Sequence, residues 1–326
     1  MNNKIIILLL VILLFIMGVF FGLSKAKINS NSKNAKIQNV KVDDINVAYK
    51  RFGKGDETIV MIMGYTGTMD LWNPLVLDKL AEQYQIVIFD NRGMGLTSAS
   101  EKEFSIDLFA DDVNLLMEKL SISNAHILGW SMGTEVALSF AIRYPEKLNK
   151  LILYAADCSF AESVQPKNED LALITSNDPK DALRALIPDD WLAQHPDPSE
   201  YFPQITEKSS EKNIKRQNEA MQKWAGVCNK LYLVKSPTLL ITGTKDILTP
   251  PQNSLYLVNK IPNASLVQIP GGGHGLMFQY PDQFSDYVFT FLGDSKLSST
   301  NFRSTFLLIA DWAIAPLVAK KLLLFR

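Results

Sequence analysis

The sequence predicts an α/β fold in which a mostly parallel sheet carries helices on both faces and a helical lid is inserted between two strands. Short apolar runs typical of buried strands alternate with segments of helical spacing, which is the pattern of strand–helix–strand units. The alternation stops over residues 158–232, where charges, prolines and helical patches replace it, and then resumes. Apolar residues make up 47% of the 326 residues and charged residues 21%, so the chain can bury a large core.

The predicted strands differ in their surroundings. The run Thr58–Met63 is apolar throughout and stops at Gly64, which is typical of a strand buried on both faces. Residues 45–49 alternate between apolar and polar, which favours an early antiparallel strand. In chain order the strands are predicted at 45–49, 58–63, 85–90, 125–130, 151–154, 238–242 and 265–269.

Helices are predicted between these strands. The segment 104–120 is amphipathic and has Asp107 near its start, where the helix dipole favours a negative charge. A second segment, 132–143, ends shortly before Pro145, which cannot continue a helix. In chain order the helices are predicted at 71–84, 104–120, 132–143 and 278–292, and the last of them closes the domain.

Five segments follow from this pattern. The α/β domain occupies residues 39–293 and contains the lid at 158–232. An apolar N-terminal segment, 1–24, and a polar linker, 25–38, precede the domain. The tail 294–326 is apolar but interrupted, and two alternatives stay open for it: a helix at a membrane interface or a helix packed on the domain.

The N-terminal run Ile5–Leu23 is long enough to span a bilayer as a helix. It exceeds the core of about 7–15 residues in a signal peptide, and no small-residue cleavage site follows it. The sequence therefore favours an uncleaved single-pass anchor over a cleaved signal peptide, and hence a membrane location. The lysines after the run favour a cytoplasmic domain, whereas a short N-terminal tail before a long domain is typical of exported, anchored proteins. The side stays open, with the extracytoplasmic side preferred.

Charge and cysteine content exclude several classes of partner. The formal net charge is -1, so no basic field indicates a nucleic-acid partner. Cys158 and Cys228 are far apart in sequence and have no histidine pair nearby, which does not fit a zinc site. The sequence favours two unpaired thiols over a disulfide.

The segment Gly129–Gly133 matches the pattern G-x-S-x-G and lies between a predicted strand and a predicted helix. A sharp strand-to-helix turn would expose the central Ser131, and the small residues on either side leave room for that turn. The positive end of the following helix favours an anion at this serine. Ser131 is therefore the candidate nucleophile.

A serine hydroxyl needs a base, and the chain has only three histidines. His126 lies inside a strand and fits a structural role, while His195 lies in the proline-rich insertion. His274 follows the strand 265–269 in a glycine-rich loop, at the sheet edge where ligands collect. His274 is therefore the candidate base.

The third member of a catalytic triad is an acid that orients the imidazole. Asp246 follows the strand 238–242, and the chain order Ser131, Asp246, His274 is the one expected for a triad on the predicted fold. Asp157 also follows a core strand and is the alternative. Asp90 precedes the serine and fits a structural role.

Two backbone N–H groups are expected to hold the oxyanion. One belongs to Met132, the residue after the nucleophile. The other belongs to Tyr65, in the loop after the strand 58–63, where Gly64 and Gly67 let the backbone approach a ligand closely.

Together these residues resemble the α/β-hydrolase superfamily, in its branch of lid-bearing serine esterases and peroxidase-like enzymes, over residues 42–292. The segment Asp90–Ser98 looks like its D-x-R-G-x-G-x-S segment, in which Arg92 would brace loops, and Gly243–Asp246 resembles its G-x-x-D acid loop. The resemblance implies hydrolysis of esters, thioesters or related acyl compounds without a cofactor. Two positions depart from the pattern: Met63 replaces a histidine before the oxyanion loop, and Thr134 replaces a glycine after the nucleophile.

The expected activity is that of a serine hydrolase that cleaves carboxylic esters or related acyl compounds through an acyl-enzyme. The expected partners are a small apolar substrate and, through the N-terminal helix, a membrane; neither a cofactor nor a metal is expected. The alternatives are a cofactor-free peroxidase or perhydrolase with the same triad, and a non-catalytic, membrane-tethered ligand-binding protein. Four aromatic residues of the lid fit either an apolar substrate or packing within the lid: Phe160, Trp191, Tyr201 and Trp224.

Overall fold

The structure, a computed structural model, describes residues 31–174, 176, 178–197, 201–203 and 207–293. Its centre is an eight-stranded sheet with the order β1-β2-β4-β3-β5-β6-β7-β8. The first two strands are antiparallel to their neighbours, and all pairs from β4–β3 to β7–β8 are parallel. The strands are β1 Gln38–Val42, β2 Ile45–Gly53, β3 Thr58–Ile62, β4 Gln85–Phe89, β5 Ala125–Trp130, β6 Leu148–Tyr154, β7 Thr238–Gly243 and β8 Ala264–Ile269.

Helices follow the strands in alternation. Before the insertion they are α1 Asn31–Asn34, α2 Pro74–Leu80, α3 Ile106–Lys119 and α4 Met132–Arg143. Between β6 and β7 the structure has α5 Asn168–Ile174, α6 Pro179–Leu186, α7 Asp189–Leu192 and α8 Glu211–Lys223. After β7 come α9 Pro251–Lys260, α10 Leu276–Gln279 and α11 Pro281–Gly293, and short 3-10 turns lie at Met69–Leu71, Pro145–Lys147 and Cys228–Leu233.

The predicted α/β fold, a mostly parallel sheet with helices between its strands, is confirmed. Every residue of β3, β5 and β7 is buried, as continuous apolar runs require of strands covered on both faces. The carboxyl ends of parallel strands meet at one edge of a sheet, so the loops after β5, β6, β7 and β8 converge there.

Two predicted helices differ from the structure at prolines. The helix predicted at 71–84 begins at Pro74 instead, where Asn73 caps it by accepting a hydrogen bond from the backbone N–H of Leu75. The helix predicted at 278–292 is two helices, because Pro281 lacks the N–H that would continue the first one.

The chain divides into two compact units, residues 1–289 and 290–326. The first contains the sheet. Of the second, the structure describes residues 290–293, which complete α11.

The predicted membrane location is corrected. No helix in the described part of the chain is long and apolar enough to cross a bilayer. The run 5–23 and the tail 294–326, on which the anchor and the interfacial helix were predicted, lie outside the described residues.

The expectation of two free thiols is wrong, because Cys158 and Cys228 form a disulfide with their Cα atoms 5.1 Å apart. Because the two cysteines are 70 residues apart in the chain, the sequence did not indicate this pairing. The two ends of the insertion return to the same place: the N–H of Val227 donates to the carbonyl oxygen of Cys158 at 2.8 Å. The disulfide therefore closes the insertion into a loop at its base.

Removal of this disulfide is expected to destabilise the domain. Closing a loop of 70 residues restricts the unfolded chain, and the loop-entropy relation gives about 4 kcal/mol for that length. Cys158→Ser combined with Cys228→Ser should lower the melting temperature by on the order of 10 °C. Thermal denaturation with and without reductant measures this, and the double variant is the control because reductant should not affect it. A wild-type melting temperature that ignores reductant would contradict the pairing.

Candidate active site

Ser131 lies on a strained turn between β5 and α4, with φ 56° and ψ −126°. The glycines around it leave no room for a side chain. A Cβ on Gly129 would be 2.3 Å from the carbonyl oxygen of Gly133, and a Cβ on Gly133 would be 2.2 Å from that of Ile62. The G-x-S-x-G pattern is thus a steric requirement of this turn, which presents Ser131 at the carboxyl edge of the sheet.

Backbone hydrogen bonds hold the turn. The N–H of Ser131 donates to the carbonyl oxygen of Tyr154 at 3.0 Å. The carbonyl oxygen of Ser131 accepts from both the N–H and the hydroxyl of Thr134, each at 2.7 Å. Thr134, which departs from the glycine of the family pattern, therefore stabilises the start of α4.

His274 lies in the loop after β8 and is 4% exposed. Its Nδ1 is 3.0 Å from Oδ2 and 3.1 Å from Oδ1 of Asp246. Its carbonyl oxygen accepts from the hydroxyl of Tyr154 and, at 3.2 Å, from Nε1 of Trp130. Trp130, the neighbour of Ser131, also packs on the imidazole with ring centroids 5.8 Å apart. The structure thus brings the loop of His274 against the turn of Ser131.

Asp246 is buried, and its loop is fixed against that of His274. Its Oδ1 accepts from the N–H groups of Leu248 and Thr249 at 3.0 and 2.8 Å. A Cβ on Gly243 would be 2.1 Å from the carbonyl oxygen of Gly272, so the two loops pack closely. This packing sets the orientation of the carboxylate toward the imidazole.

The other two histidines lie elsewhere. His126 is buried within β5, against the ring of Tyr84, and burial lowers its pKa although Glu57 opposes this. His195 stacks on Trp191 with centroids 3.7 Å apart in the insertion. The position of His126 inside the strand agrees with the structural role expected from the sequence.

The loop after β3 approaches Ser131. A Cβ on Gly64 would be 3.1 Å from Cβ of Ser131, so a larger residue there would press on the nucleophile. Nδ2 of Asn91 donates to the carbonyl oxygen of Met63 at 2.9 Å, and the N–H of Thr66 donates to Oε1 of Gln217 at 2.7 Å. These bonds hold the loop although the histidine of the family pattern is absent.

The hydroxyl of Tyr65, in the same loop, donates to the carbonyl oxygen of Ile214 at 3.2 Å. Burial raises the pKa of Tyr65, so its hydroxyl stays protonated. Tyr65 lies in the loop after β3, and Met132 directly follows Ser131 at the start of α4.

Asp90 and Arg92 have structural roles. Asp90 accepts from the N–H groups of Met69 and Leu96 at 2.7 and 2.8 Å, and burial raises its pKa to about 6. The fully buried guanidinium of Arg92 binds both oxygens of Asp112 at 2.7 and 2.6 Å. Its Nη1 also donates to Oδ1 of Asp44 at 2.8 Å and to Oγ of Ser100 at 3.0 Å, so Arg92 braces loops, as the resemblance implied.

The helical segment between β6 and β7 contacts both loops of the site. The N–H of Gly275 donates to the carbonyl oxygen of Leu186, at the end of α6, at 2.9 Å. Through Ile214 and Gln217, α8 contacts the loop that carries Tyr65.

Sequence reasoning missed three residues near the site. Tyr154 and Trp130 hold the backbone of His274, and no local signal pointed to this. Glu135 is 2% exposed in the first turn of α4. The available signal for Glu135 was a charged residue in the first turn of a largely apolar helix.

Comparison with known proteins places this architecture in a family. The model of the α/β-hydrolase fold family matches residues 57–281, so the chain belongs to that family. The serine hydrolase BPHL of Mus musculus is 26% identical over 264 residues, which cover 78% of this chain and 85% of that protein. A Synechocystis sp. protein named "Putative non-heme chloroperoxidase" is 28% identical over 76% of this chain and 95% of its own length.

A solved structure shares the fold. The α/β hydrolase fold protein from Chitinophaga pinensis is 25% identical and superposes with a TM-score of 0.68 over 80% of this chain and 98% of its own. The resemblance predicted from the sequence is thus confirmed at the level of the superfamily. The family and the names of its members support a hydrolase that acts on a small molecule.

Proposed function

We propose that the protein is a serine hydrolase that cleaves carboxylic esters or related acyl compounds with Ser131, His274 and Asp246 as its catalytic triad. The observation that carries the proposal is the pairing of Nδ1 of His274 with the buried carboxylate of Asp246 beside the strained turn of Ser131. A carboxylate in this position fixes the imidazole with Nδ1 protonated, which leaves Nε2 free to act as a base.

The reaction proceeds in two steps. Nε2 of His274 takes the proton of Ser131 as Oγ attacks the acyl carbonyl carbon, and the N–H groups of Met132 and Tyr65 stabilise the oxyanion. The bond to the leaving group then breaks, and His274 protonates the departing oxygen. In the second step His274 takes a proton from water, the hydroxide attacks the acyl-enzyme, and Ser131 recovers its proton as the acid leaves.

Substrate choice is assigned to the lid, residues 158–232 of a domain spanning 39–293. Its contacts with the loops of Gly275 and Tyr65 support a position over the pocket. Several lid aromatics pack on one another, since Trp191 contacts both His195 and Tyr201. This packing favours the interpretation that the aromatic rings pack within the lid. The proposed substrate class is still a small molecule with an apolar acyl group.

One observation favours a second activity. The Synechocystis sp. relative is named as a chloroperoxidase, and a peroxidase or perhydrolase without cofactor would use the same nucleophile with hydrogen peroxide in place of water. The two activities therefore differ in the second step, and not in the labelling of Ser131.

The test uses the full chain, a serine-directed fluorophosphonate and a series of p-nitrophenyl esters of increasing acyl length. We expect covalent labelling on Ser131 and turnover that is fastest for short acyl groups. Acetate with hydrogen peroxide is assayed in parallel, and peracid formation that exceeds ester hydrolysis would favour the second activity. A folded protein that the fluorophosphonate does not label would contradict both and leave a non-catalytic binding protein.

A further inference from the structure

Two carboxylic acids, Glu135 and Asp157, lie next to each other near the start of α4, the helix that follows the proposed nucleophile. Glu135 is buried in the first turn of α4, and its side chain is hydrogen-bonded to that of Asp157, which follows β6. Oε2 of Glu135 and Oδ1 of Asp157 are buried and have no hydrogen-bond partner among the described residues. Two ionised carboxylates in such contact would repel each other strongly, so the pair retains one proton at neutral pH.

The sheet order places Asp157 between the proposed nucleophile and the proposed acid. β5, β6, β7 and β8 are parallel neighbours in that order. Ser131 follows β5, Asp157 follows β6, Asp246 follows β7 and His274 follows β8. The charge of His274 acts on Asp157. Asp157 is therefore a second carboxyl group near the imidazole, in the loop next to that of Asp246.

The backbone holds Asp157 firmly. Two residues before it, Ala155 has a φ of 54°, a left-handed conformation that costs free energy in a residue other than glycine. The N–H of Ala155 donates to the carbonyl oxygen of Ile241 at 2.9 Å. One residue after it, Cys158 is bonded to Cys228. A strained residue on one side and a disulfide on the other fix the position of this carboxyl group.

The proton of the pair lies on Glu135. Burial, and then the charge of Asp157, raise the pKa of Glu135 well above its usual value. Burial raises the pKa of Asp157 to about 6, although the hydrogen bond with Glu135 and the charge of His274 oppose this. Glu135 therefore donates to Asp157, which is charged above about pH 6. The titratable groups that face Asp157 are Glu135, from α4, and His274, from the loop after β8.

We propose that Glu135 and Asp157 share one proton and set a second negative charge beside His274, so that Asp157 is a positioning residue that stabilises the imidazolium. The inference rests on the proposed triad. A nearby carboxylate favours the charged form of an imidazole. His274 becomes charged when it takes the proton of Ser131, and the charge of Asp157 then lowers the barrier of that step.

Asp157→Asn keeps the shape of the side chain and removes its charge. We expect kcat to fall about 3- to 10-fold while KM changes less than about twofold, because the charge acts on the imidazolium of the transition state. We also expect the acidic limb of the kcat/KM profile to move to lower pH by about 0.5–1 unit, since the protonated imidazole loses a stabilising charge. If Asp157 had only a structural role, its replacement would not change the pH of the acidic limb of the kcat/KM profile.

Glu135→Gln is the matched variant, because its amide still donates to Asp157 and leaves the Asp157 charge in place. Its acidic limb is expected at the wild-type position. The proposal would be overturned if the acidic limb of the kcat/KM profile of Asp157→Asn stayed at the wild-type pH. It would also be overturned if the acidic limb of Glu135→Gln shifted by as much as that of Asp157→Asn. Melting temperatures establish that each variant is folded, and Asp157→Ser, which also lacks the charge, replaces the Asn variant if that one does not fold.

Labelling of the wild-type protein by fluorophosphonate separates this inference from the proposed function. Wild-type protein that is not labelled overturns the triad and the inference together. Wild-type protein that is labelled at Ser131, with a wild-type pH profile in Asp157→Asn, overturns the inference alone.

Discussion

Replacement of Ser131 by alanine is expected to lower kcat for ester hydrolysis by roughly 10⁵- to 10⁶-fold, the scale of loss when a catalytic serine is removed. The variant cannot form the acyl-enzyme, so fluorophosphonate labelling should disappear as well. Its fold should persist, because the hydrogen bonds that hold this turn use the backbone N–H and carbonyl of residue 131. Steady-state kinetics and mass spectrometry of the labelled protein measure both effects.

Ser254→Ala is a matched control for that variant. Ser254 is 1% exposed on α9, and its hydroxyl has no hydrogen-bond partner in the part of the chain that the structure describes, so its loss should leave kcat and the melting temperature nearly unchanged. Ser131→Ala that retains more than about a tenth of the wild-type kcat, in a folded protein, would show that another group is the nucleophile.

The parts of this site that local sequence predicted share a physical origin. Runs of mainly apolar residues identified β3, β5 and β7, since a strand that is buried on both faces holds few polar residues. Gly129 and Gly133 marked the turn of Ser131 because any side chain there would collide with backbone oxygens. These signals are local, so one sequence was enough to predict where β2 to β8 lie along the chain and which loops carry Ser131, Asp246 and His274, although β1 was not predicted.

The features that the sequence did not predict depend on contacts between distant segments. Nothing near Cys158 or Cys228 indicates that the two ends of the insertion meet. The pair of Glu135 and Asp157 arises because β5 and β6 are neighbours in the sheet, which brings the residues after them together. Tyr154 likewise reaches the backbone of His274 only in the folded sheet. Pairings of this kind require the three-dimensional arrangement.

Asp246→Asn is expected to lower kcat by roughly 10⁴-fold, and the structure explains why such a small change is so damaging. Oδ1 of Asp246 accepts from the N–H groups of Leu248 and Thr249, so the amide oxygen of an asparagine would take that place. The NH₂ group would then stand where Oδ2 now lies, 3.0 Å from Nδ1 of His274. This NH₂ group would donate to Nδ1, so the proton of the neutral imidazole would lie on Nε2. A protonated Nε2 cannot accept the proton of Ser131.

Asp246→Ala is therefore the informative comparison. Alanine removes the carboxylate but imposes no tautomer on His274, so we expect Asp246→Asn to be at least as slow as Asp246→Ala despite its closer shape. Initial rates on a short-chain p-nitrophenyl ester, together with rates of fluorophosphonate labelling, measure both variants. If Asp246→Asn kept more than about a tenth of the wild-type kcat, Asp246 would not be the acid that orients the imidazole. Asp157, in the neighbouring loop, would then be the acid, and its substitution would cause the larger loss.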